Sequence, residues 1–509
     1  MGSGISCKPS NNVYPRPEAV TEYGKICGKH FVLKDGRVTD VFLGIQYAKP
    51  PVGTLRFEKP QLPEPWPKMR STIKYKCRPI QQDYFWDRLQ SGKGKSEDCL
   101  YLNIMAPNWN PPSSKGFPVM FYIHGGGYAM DSAAKIPCEN ICNIMVSNDI
   151  VCVTIEYRLG FLGFFTTDDE IATGNYGIWD QYMALLFVKN NISNFKGDPN
   201  NITVMGQSAG GASADLLSLS PFTRVEPIQL EVTPIIDGEF FPKSLNELRD
   251  EAPKKHIIVG ETEFESLAFF AIGQVKIKKK LLTFFCERTR TTLQQLDKIT
   301  DKTKQFLSFE KWEQLYGISN GTVRSKNELK ETAIKINKDI MNTIPLYNFI
   351  QKSIQQRSTV YAFNFTHFNK QSLSGVSLFM PKIGATHGCE LMHLFDFNYF
   401  LFSFTRTEDD LKVTKIISTL FTNFAKCGSP NLEETNPFSM SHDLRWDPIK
   451  LENPINCLKI STEPKMEEVE RLKRCIPQSE AYAKLHEWLT VMDENVYNEF
   501  KANVTFENK

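Results

Sequence analysis

Ser208 stands in Gly206-Gln207-Ser208-Ala209-Gly210, a G-x-S-x-G pattern. The run Ile202-Thr203-Val204-Met205 before it reads as a short buried strand, and Gly211-Ala212-Ser213-Ala214-Asp215-Leu216-Leu217 after it suits a helix pressed onto a sheet. A serine on a strand-to-helix turn of this kind is a candidate nucleophile, and the flanking glycines let backbone pass where a side chain would clash. A serine hydroxyl is a weak nucleophile at neutral pH. It needs a base to take its proton, a third group to orient the base, and donors where negative charge develops. The donors are visible in His124-Gly125-Gly126-Gly127, which follows the apolar strand Val119-Met120-Phe121-Tyr122-Ile123. Bare N–H groups there, with the N–H of Ala209, would form an oxyanion hole.

Acid and base should follow the serine in the order Asp or Glu, then His. Histidines available downstream are His367, His387, His393, His442 and His486, and Thr386-His387-Gly388 is a loop beyond the Val360 strand. Glu261, Glu263 and Glu265 all lie just after the strand His256-Ile257-Ile258-Val259-Gly260. Spacing alone leaves the acid open among the three.

These residues need a scaffold, and the chain has the length for one. Its 509 residues suggest about three domains by length alone, but a large α/β enzyme can be one unit. The apolar fraction is 41% and the net charge +2, so no charge bias points to nucleic acid. The basic cluster Lys276-Ile277-Lys278-Lys279-Lys280 reads as a solvated helix face, and no apolar run is long enough to cross a bilayer. Residues 28–33 and 38–45 read as antiparallel strands around Asp35-Gly36; residues 119–123, 150–157, 202–205, 256–260 and 359–365 read as further strands. Helical spacing marks 177–193, most of 275–356, 410–426 and 478–501. The alternation predicts an α/β chain with a mainly parallel central sheet and helices on both faces.

The N-terminus Met1-Gly2-Ser3-Gly4-Ile5-Ser6-Cys7 fits the pattern for myristoylation of Gly2, and Cys7 is placed to carry a second acyl chain by palmitoylation. No secretory h-region precedes the globular part, so the expectation is a cytoplasmic chain held at the membrane surface by lipid, and not a secreted one. In that setting the twelve cysteines are mostly free, and the sequons at Asn191, Asn201, Asn320, Asn364 and Asn503 carry no sugar.

Several longer motifs go further. Ser96-Glu97-Asp98-Cys99-Leu100-Tyr101-Leu102-Asn103, Tyr157-Arg158-Leu159-Gly160-Phe161-Leu162-Gly163-Phe164 and Gly174-Asn175-Tyr176-Gly177-Ile178-Trp179-Asp180-Gln181 precede the serine motif. Gly197-Asp198-Pro199-Asn200-Asn201-Ile202-Thr203 leads into it, and Ala385-Thr386-His387-Gly388-Cys389-Glu390-Leu391 follows. On these motifs the chain resembles the type-B carboxylesterase/cholinesterase family of α/β hydrolases over most of residues 20–500. The resemblance implies one α/β-hydrolase domain over 20–509, preceded by an extended segment 1–19. It implies Ser208 as nucleophile, His387 as general base and Glu265 as acid, with Gly126, Gly127 and Ala209 in the oxyanion hole. Glu265 is the acid because Gly260-Glu261-Thr262-Glu263-Phe264-Glu265-Ser266 matches the family's G-x-T-x-x-E-G, with Ser266 replacing the last glycine. The implied reaction is hydrolysis of a small-molecule carboxylic ester through an acyl-enzyme, with no metal and no organic cofactor. Cys77 and Cys99 match a disulfide pair of secreted members; in a reducing cytosol they are expected to be free thiols. Trp86 lies in the loop where some members hold a choline-binding aromatic, but its spacing to Cys99 does not match, so cholinesterase activity is not implied. The sequence is silent on which ester and on oligomeric state.

The chain departs from the family pattern in one place. The stretch Val232-Thr233-Pro234-Ile235-Ile236-Asp237-Gly238 follows the serine almost at once, where the family has another central strand and its helices. The expectation is an internal deletion with its junction near 224–225, and a sheet lacking the strand beside the nucleophile strand. Two alternatives to an active esterase follow: a catalytically impaired short isoform, or a non-catalytic membrane-associated binding protein of the same family.

Overall fold

In the computed structural model, the residues described are 15–83, 94–167, 171–220, 234–267, 308–319, 325–371, 384–397, 405–432 and 444–478, with a few isolated positions between 269 and 293. Contacts divide the expected single domain into two compact units. The first comprises Met1–Pro253, Leu394–Phe397 and Ser418–Pro430; the second comprises Lys254–His393, Asn398–Ile417 and Asn431–Lys509. Gly2, Cys7, Trp86, His442, His486, the 224–225 junction and, past residue 478, the helix expected over 478–501 lie outside the described residues.

The first unit opens with β1 (Glu18–Thr21) and β2 (Gly24–Cys27), joined by the short β5 (Arg70–Ser71) in a small sheet. Its main sheet has six strands: β3 (Lys29–Val32), β4 (Val38–Gln46), β6 (Tyr101–Pro107), β7 (Phe117–Ile123), β8 (Val151–Ile155) and β9 (Gly197–Gly206). Their order across the sheet is β3-β4-β6-β8-β7-β9. The sequence places β3 and β4 around Asp35-Gly36, and the structure pairs them antiparallel, Lys29 opposite Val41. β6 also runs antiparallel to both of its neighbours. Parallel pairing begins at β8–β7–β9, with Ile123 opposite both Ile155 and Gly206. So the mainly parallel expectation holds for the strands that lead to the serine, while the β3–β4 hairpin and the pairing of β6 with β4 and β8 make the other half of the sheet antiparallel.

Continuous apolar runs explain why β7 and β8 sit in the middle. Val119, Phe121 and Ile123 are buried on one face of β7 and Met120 and Tyr122 on the other, and in β8 Cys152 is buried opposite Val151, Val153 and Ile155, as strands covered on both faces require. Helices Tyr176–Asn191 and Ala209–Leu219 cover the sheet, contributing Ile178, Phe187, Leu216 and Leu217 to the same core. One buried ion pair ties this layer down. The Arg158 guanidinium donates to both Asp180 oxygens at 2.7 and 2.8 Å, and the Arg158 backbone N–H donates to Asp180 at 3.0 Å. Arg158 also donates to the Glu58 carbonyl at 2.8 Å. The stretch past the expected junction docks in this unit: Asn175 donates to the Ile235 carbonyl and the Asp237 carboxylate, and accepts from the Ile235 N–H.

The second unit carries β10 (His256–Thr262), β11 (Thr359–Phe365), β12 (Asn456–Ile460) and β13 (Lys465–Glu468), paired in that order. β10–β11–β12 are parallel and β13 is antiparallel. Helices Phe309–Tyr316, Lys326–Lys338 and Ile344–Gln355 realise part of the helical pattern expected over 275–356, and Glu408–Cys427 realises that over 410–426. Among the described residues β9 has a strand partner on one side only, and so has β10.

Asp180→Ala would leave the Arg158 charge buried without its partner. Loss of about 3–5 kcal/mol is expected, measured as a lowered urea midpoint; a change below 1 kcal/mol would show that the pair is not structural.

Candidate active site

The turn after β9 is as tight as the G-x-S-x-G pattern requires. A Cβ on Gly206 would lie 2.0 Å from the Gly210 carbonyl oxygen, and one on Gly210 would lie 2.1 Å from the Ile123 carbonyl oxygen. Both positions therefore exclude any side chain. Ser208 itself takes φ 58°, ψ −127°, a conformation that L-residues rarely adopt, and caps the helix that starts at Ala209. The strain aims its hydroxyl outward: Ser208 is exposed, between buried Gln207 and Ala209. The first-turn amides of that helix, Ala209 among them, have no partner within the helix and carry its positive pole.

The glycine loop lies against this turn. A Cβ on Gly125 would sit 2.5 Å from the Gln207 carbonyl oxygen and 3.0 Å from Ser208 Cβ. The Gly126 carbonyl accepts from the N–H groups of Ala129 and Met130, each at 3.1 Å. In a trans peptide that points the Gly127 N–H the opposite way. Gly126 and Gly127 have φ of 93° and 62°. The first unit thus assembles Ser208, Gly126, Gly127 and Ala209, four of the residues singled out in the sequence.

In the second unit, β10 delivers Glu265 and the loop after β11 delivers His387. Of the three glutamates left open by spacing, Glu265 is the one that meets His387, at 2.6 Å between Oε2 and Nδ1. Its other oxygen accepts from the Thr262 N–H at 2.6 Å. Burial alone would raise the Glu265 carboxyl, but His387 and these hydrogen bonds hold it well below the ordinary range. Burial works against the charged form of His387, and the Glu265 carboxylate outweighs it, so the imidazole is raised. Glu261 is instead a structural ion: Arg471 donates to it at 2.6 Å, Thr343 at 2.9 Å, and Lys338 lies 3.4 Å away. Glu263 is half-buried beside the site.

Two further histidines from the sequence reading meet a different carboxylate. His367, His393 and Asp410 have ligand atoms within 4.8 Å of one another. Asp410 is already occupied: it bonds His367 at 2.8 Å and accepts from Asn369, the Thr407 N–H and the Thr407 hydroxyl. His393 bonds Thr414, to which the Arg406 cation also donates. A cation at hand and a saturated carboxylate make this a helix-capping network rather than a metal centre. Cys77 and Cys99 are free thiols, and burial raises Cys99 well above its ordinary value.

Sequence reasoning passed over two carboxyls. Burial, with the neighbouring Glu265 carboxylate, pushes Glu390 up to about 7. Its three-residue spacing from His387 was the available signal. Burial likewise pushes Glu156 up to about 8; an acidic residue directly after the buried strand β8 was its signal.

The family described as Carboxylesterase family matches residues 15–229 and 224–476. The chain is 32% identical to Esterase cest-33 of Caenorhabditis elegans over 469 positions, covering 78% of this chain and 83% of that protein. It is 27% identical to Gut esterase 1 of Caenorhabditis elegans over 541 positions, covering 89% of this chain and 90% of the relative. Liver carboxylesterase of Sus scrofa is 41% identical over 218 positions, 41% of this chain and 38% of that one.

With Glu265 charged and His387 raised, Glu265→Gln should lower the His387 titration midpoint, because the main group opposing burial is removed and only Glu390 still favours the imidazolium. Histidine ring NMR reads this directly; an unmoved midpoint would show that Glu265 does not set the base.

Proposed function

The chain belongs to the carboxylesterase family and is by that membership a carboxylic ester hydrolase, and we propose that it works as a serine esterase through Ser208, His387 and Glu265. In this reading Ser208 Oγ attacks the ester carbonyl while His387 takes its proton. The oxyanion is met by the N–H groups of Gly126, Gly127 and Ala209. His387 returns the proton to the leaving alcohol, and water then hydrolyses the acyl-enzyme by the same route. Glu265 keeps the imidazole in the tautomer with Nδ1–H toward the carboxylate, leaving Nε2 as the base. The observation that carries the reading is the exposed Ser208 at φ 58° on a turn that tolerates only glycine beside it. The role of His387 rests on its sequence motif and on its pairing with Glu265 within the second unit.

A catalytically impaired short form is the second reading, and particular observations favour it. The family matches the chain as two stretches that overlap at 224–229. The alignment with Gut esterase 1 runs to 541 positions while using 89% of a 509-residue chain. β9 and β10 each have a single strand partner among the described residues. A purely adhesive role is favoured less, because the serine, histidine and glutamate are all kept. Among the described residues no helix is long and apolar enough to cross a membrane. Gly2, Ser6 and Cys7 support a lipid anchor at a membrane surface, and that too is proposed.

Labelling the purified chain with a fluorophosphonate, and locating the modified peptide by mass spectrometry, tests the main reading. Modification at Ser208 that is lost in His387→Ala and in unfolded protein is expected, with Ser208→Ala lowering ester hydrolysis by at least about a thousandfold. A soluble, cooperatively folding chain that does not label would overturn it in favour of a binding role. An aggregating chain would favour the shortened, impaired form. For the anchor, Gly2→Ala should move the protein from the membrane fraction to the soluble one; unchanged partitioning counts against acylation.

A further inference from the structure

Under the glycine loop, two buried polar atoms face each other with no hydrogen bond to anything else. They are His124 Nε2 and Glu156 Oε2, 3.6 Å apart, on side chains 1% and 4% exposed. Their other polar atoms are committed. Glu156 Oε1 accepts from the Ser132 hydroxyl at 2.6 Å and the Ala134 N–H at 3.0 Å. His124 Nδ1 lies 3.1 Å from the Gly125 carbonyl oxygen. A carbonyl can only accept, so Nδ1 carries the ring proton and Nε2 is left with a lone pair. An ionised Glu156 would set a second lone pair opposite it. A protonated Glu156 turns one of the two facing lone pairs into a donor: at 3.6 Å the atoms stand just beyond hydrogen-bond length, and an approach of about half an ångström lets Oε2–H donate to Nε2.

We propose that Glu156 is held as a neutral acid whose proton, donated to His124, fixes the oxyanion loop, making Glu156 a positioning residue for the esterase reaction. The link to the loop is geometric. His124 Nδ1–H anchors the Gly125 carbonyl, and peptide planarity then turns the Gly126 N–H to the opposite side, where the serine-esterase reading needs it. The imidazole stacks on Tyr157 at 4.5 Å, and the His124 backbone carbonyl accepts from the Tyr157 hydroxyl at 2.9 Å.

Charges around the pair do not favour an ion. The Ser132 and Ala134 hydrogen bonds and the Arg78 cation lower Glu156, but burial outweighs them; Arg78 bonds Asp83 at 2.9 Å, and Lys135 bonds Asp131 at 2.9 Å. Asp131 itself raises Glu156, and Lys135 lowers His124. The Cys99, Tyr47 and Tyr157 side chains packed around the strand end are all raised by burial and remain neutral. Burial pushes Glu156 up to about 8 and His124 down to about 4, which places one proton on the pair at neutral pH. A carboxyl raised on folding contributes stability below its ordinary value that is lost as pH climbs through the folded one, here from about 4.5 to about 8.

This proposal rests on the serine-esterase reading only for its effect on turnover, so its test has arms that need no turnover. Isotope-edited infrared spectra of the intact chain should show at pH 7 a neutral carboxylic C=O stretch that Glu156→Gln removes, and that fades in the wild type through about pH 8. A carboxylate at that position at pH 7 would overturn the proposal. Glutamine donates from the same place at any pH, whereas leucine cannot donate. Glu156→Leu should therefore lower kcat by about a hundredfold with KM little changed, as loss of one oxyanion donor does. Glu156→Gln should rescue kcat at neutral pH and abolish its alkaline decline. A leucine variant with wild-type kcat would overturn the positioning role. If no variant, wild type included, turns over any ester, the serine-esterase reading fails by itself. Amide exchange of the Gly125–Gly127 segment then decides: faster in the leucine variant than in the glutamine variant supports the proposal, and equal exchange overturns it.

Discussion

Everything in the first unit answers to one constraint, the space around the turn at Ser208. Gly206, Gly210 and Gly125 approach backbone so closely that a methyl group would collide at each. A turn that tight is stable only if the strand before it and the helix after it are both held, because a residue at φ 58° strains the backbone. β9 is held by the parallel ladder with β7, and the helix by Leu216 and Leu217 in the core. The exposed serine is therefore a consequence of buried hydrophobic surface on either side of it.

Charge burial is the second theme. Arg158–Asp180 in the first unit and Arg471–Glu261–Lys338 in the second place full charges in the interior, each met by a partner and by hydrogen bonds. Such groups add little net stability but are costly to leave unmatched, so they pin particular arrangements of strand and helix. Glu265 belongs to the same pattern turned to chemistry. It is ionised in the interior because His387 and the Thr262 N–H compensate it. Glu156, whose neighbours Arg78 and Lys135 pair with Asp83 and Asp131, takes the other course and stays neutral.

Among the described residues β9 and β10 each pair with a strand on one side only. Interior sheet edges leave N–H and C=O groups without partners, and residues 202–206 of β9 are only half-buried.

The amino-acid sequence by itself determined the strand–turn–helix at Ser208, the glycine loop and most strands, because apolar runs and glycine spacing are local signals. It also narrowed the acid to three glutamates and marked His387 among five histidines. Motif resemblance pointed to Glu265, and only tertiary structure could show why: Arg471, Thr343 and Lys338 claim Glu261, and Asp410 claims His367, through contacts 43 to 210 residues apart in the chain. The expected sheet was read as mainly parallel because βαβ alternation is visible locally, whereas the antiparallel register of β6 depends on which strands become its neighbours. The protonation of Glu156 was invisible for the same reason. A glutamate's charge is set by what surrounds it, and its surroundings come from Ser132, Ala134 and His124, which chain folding alone brings to the end of β8.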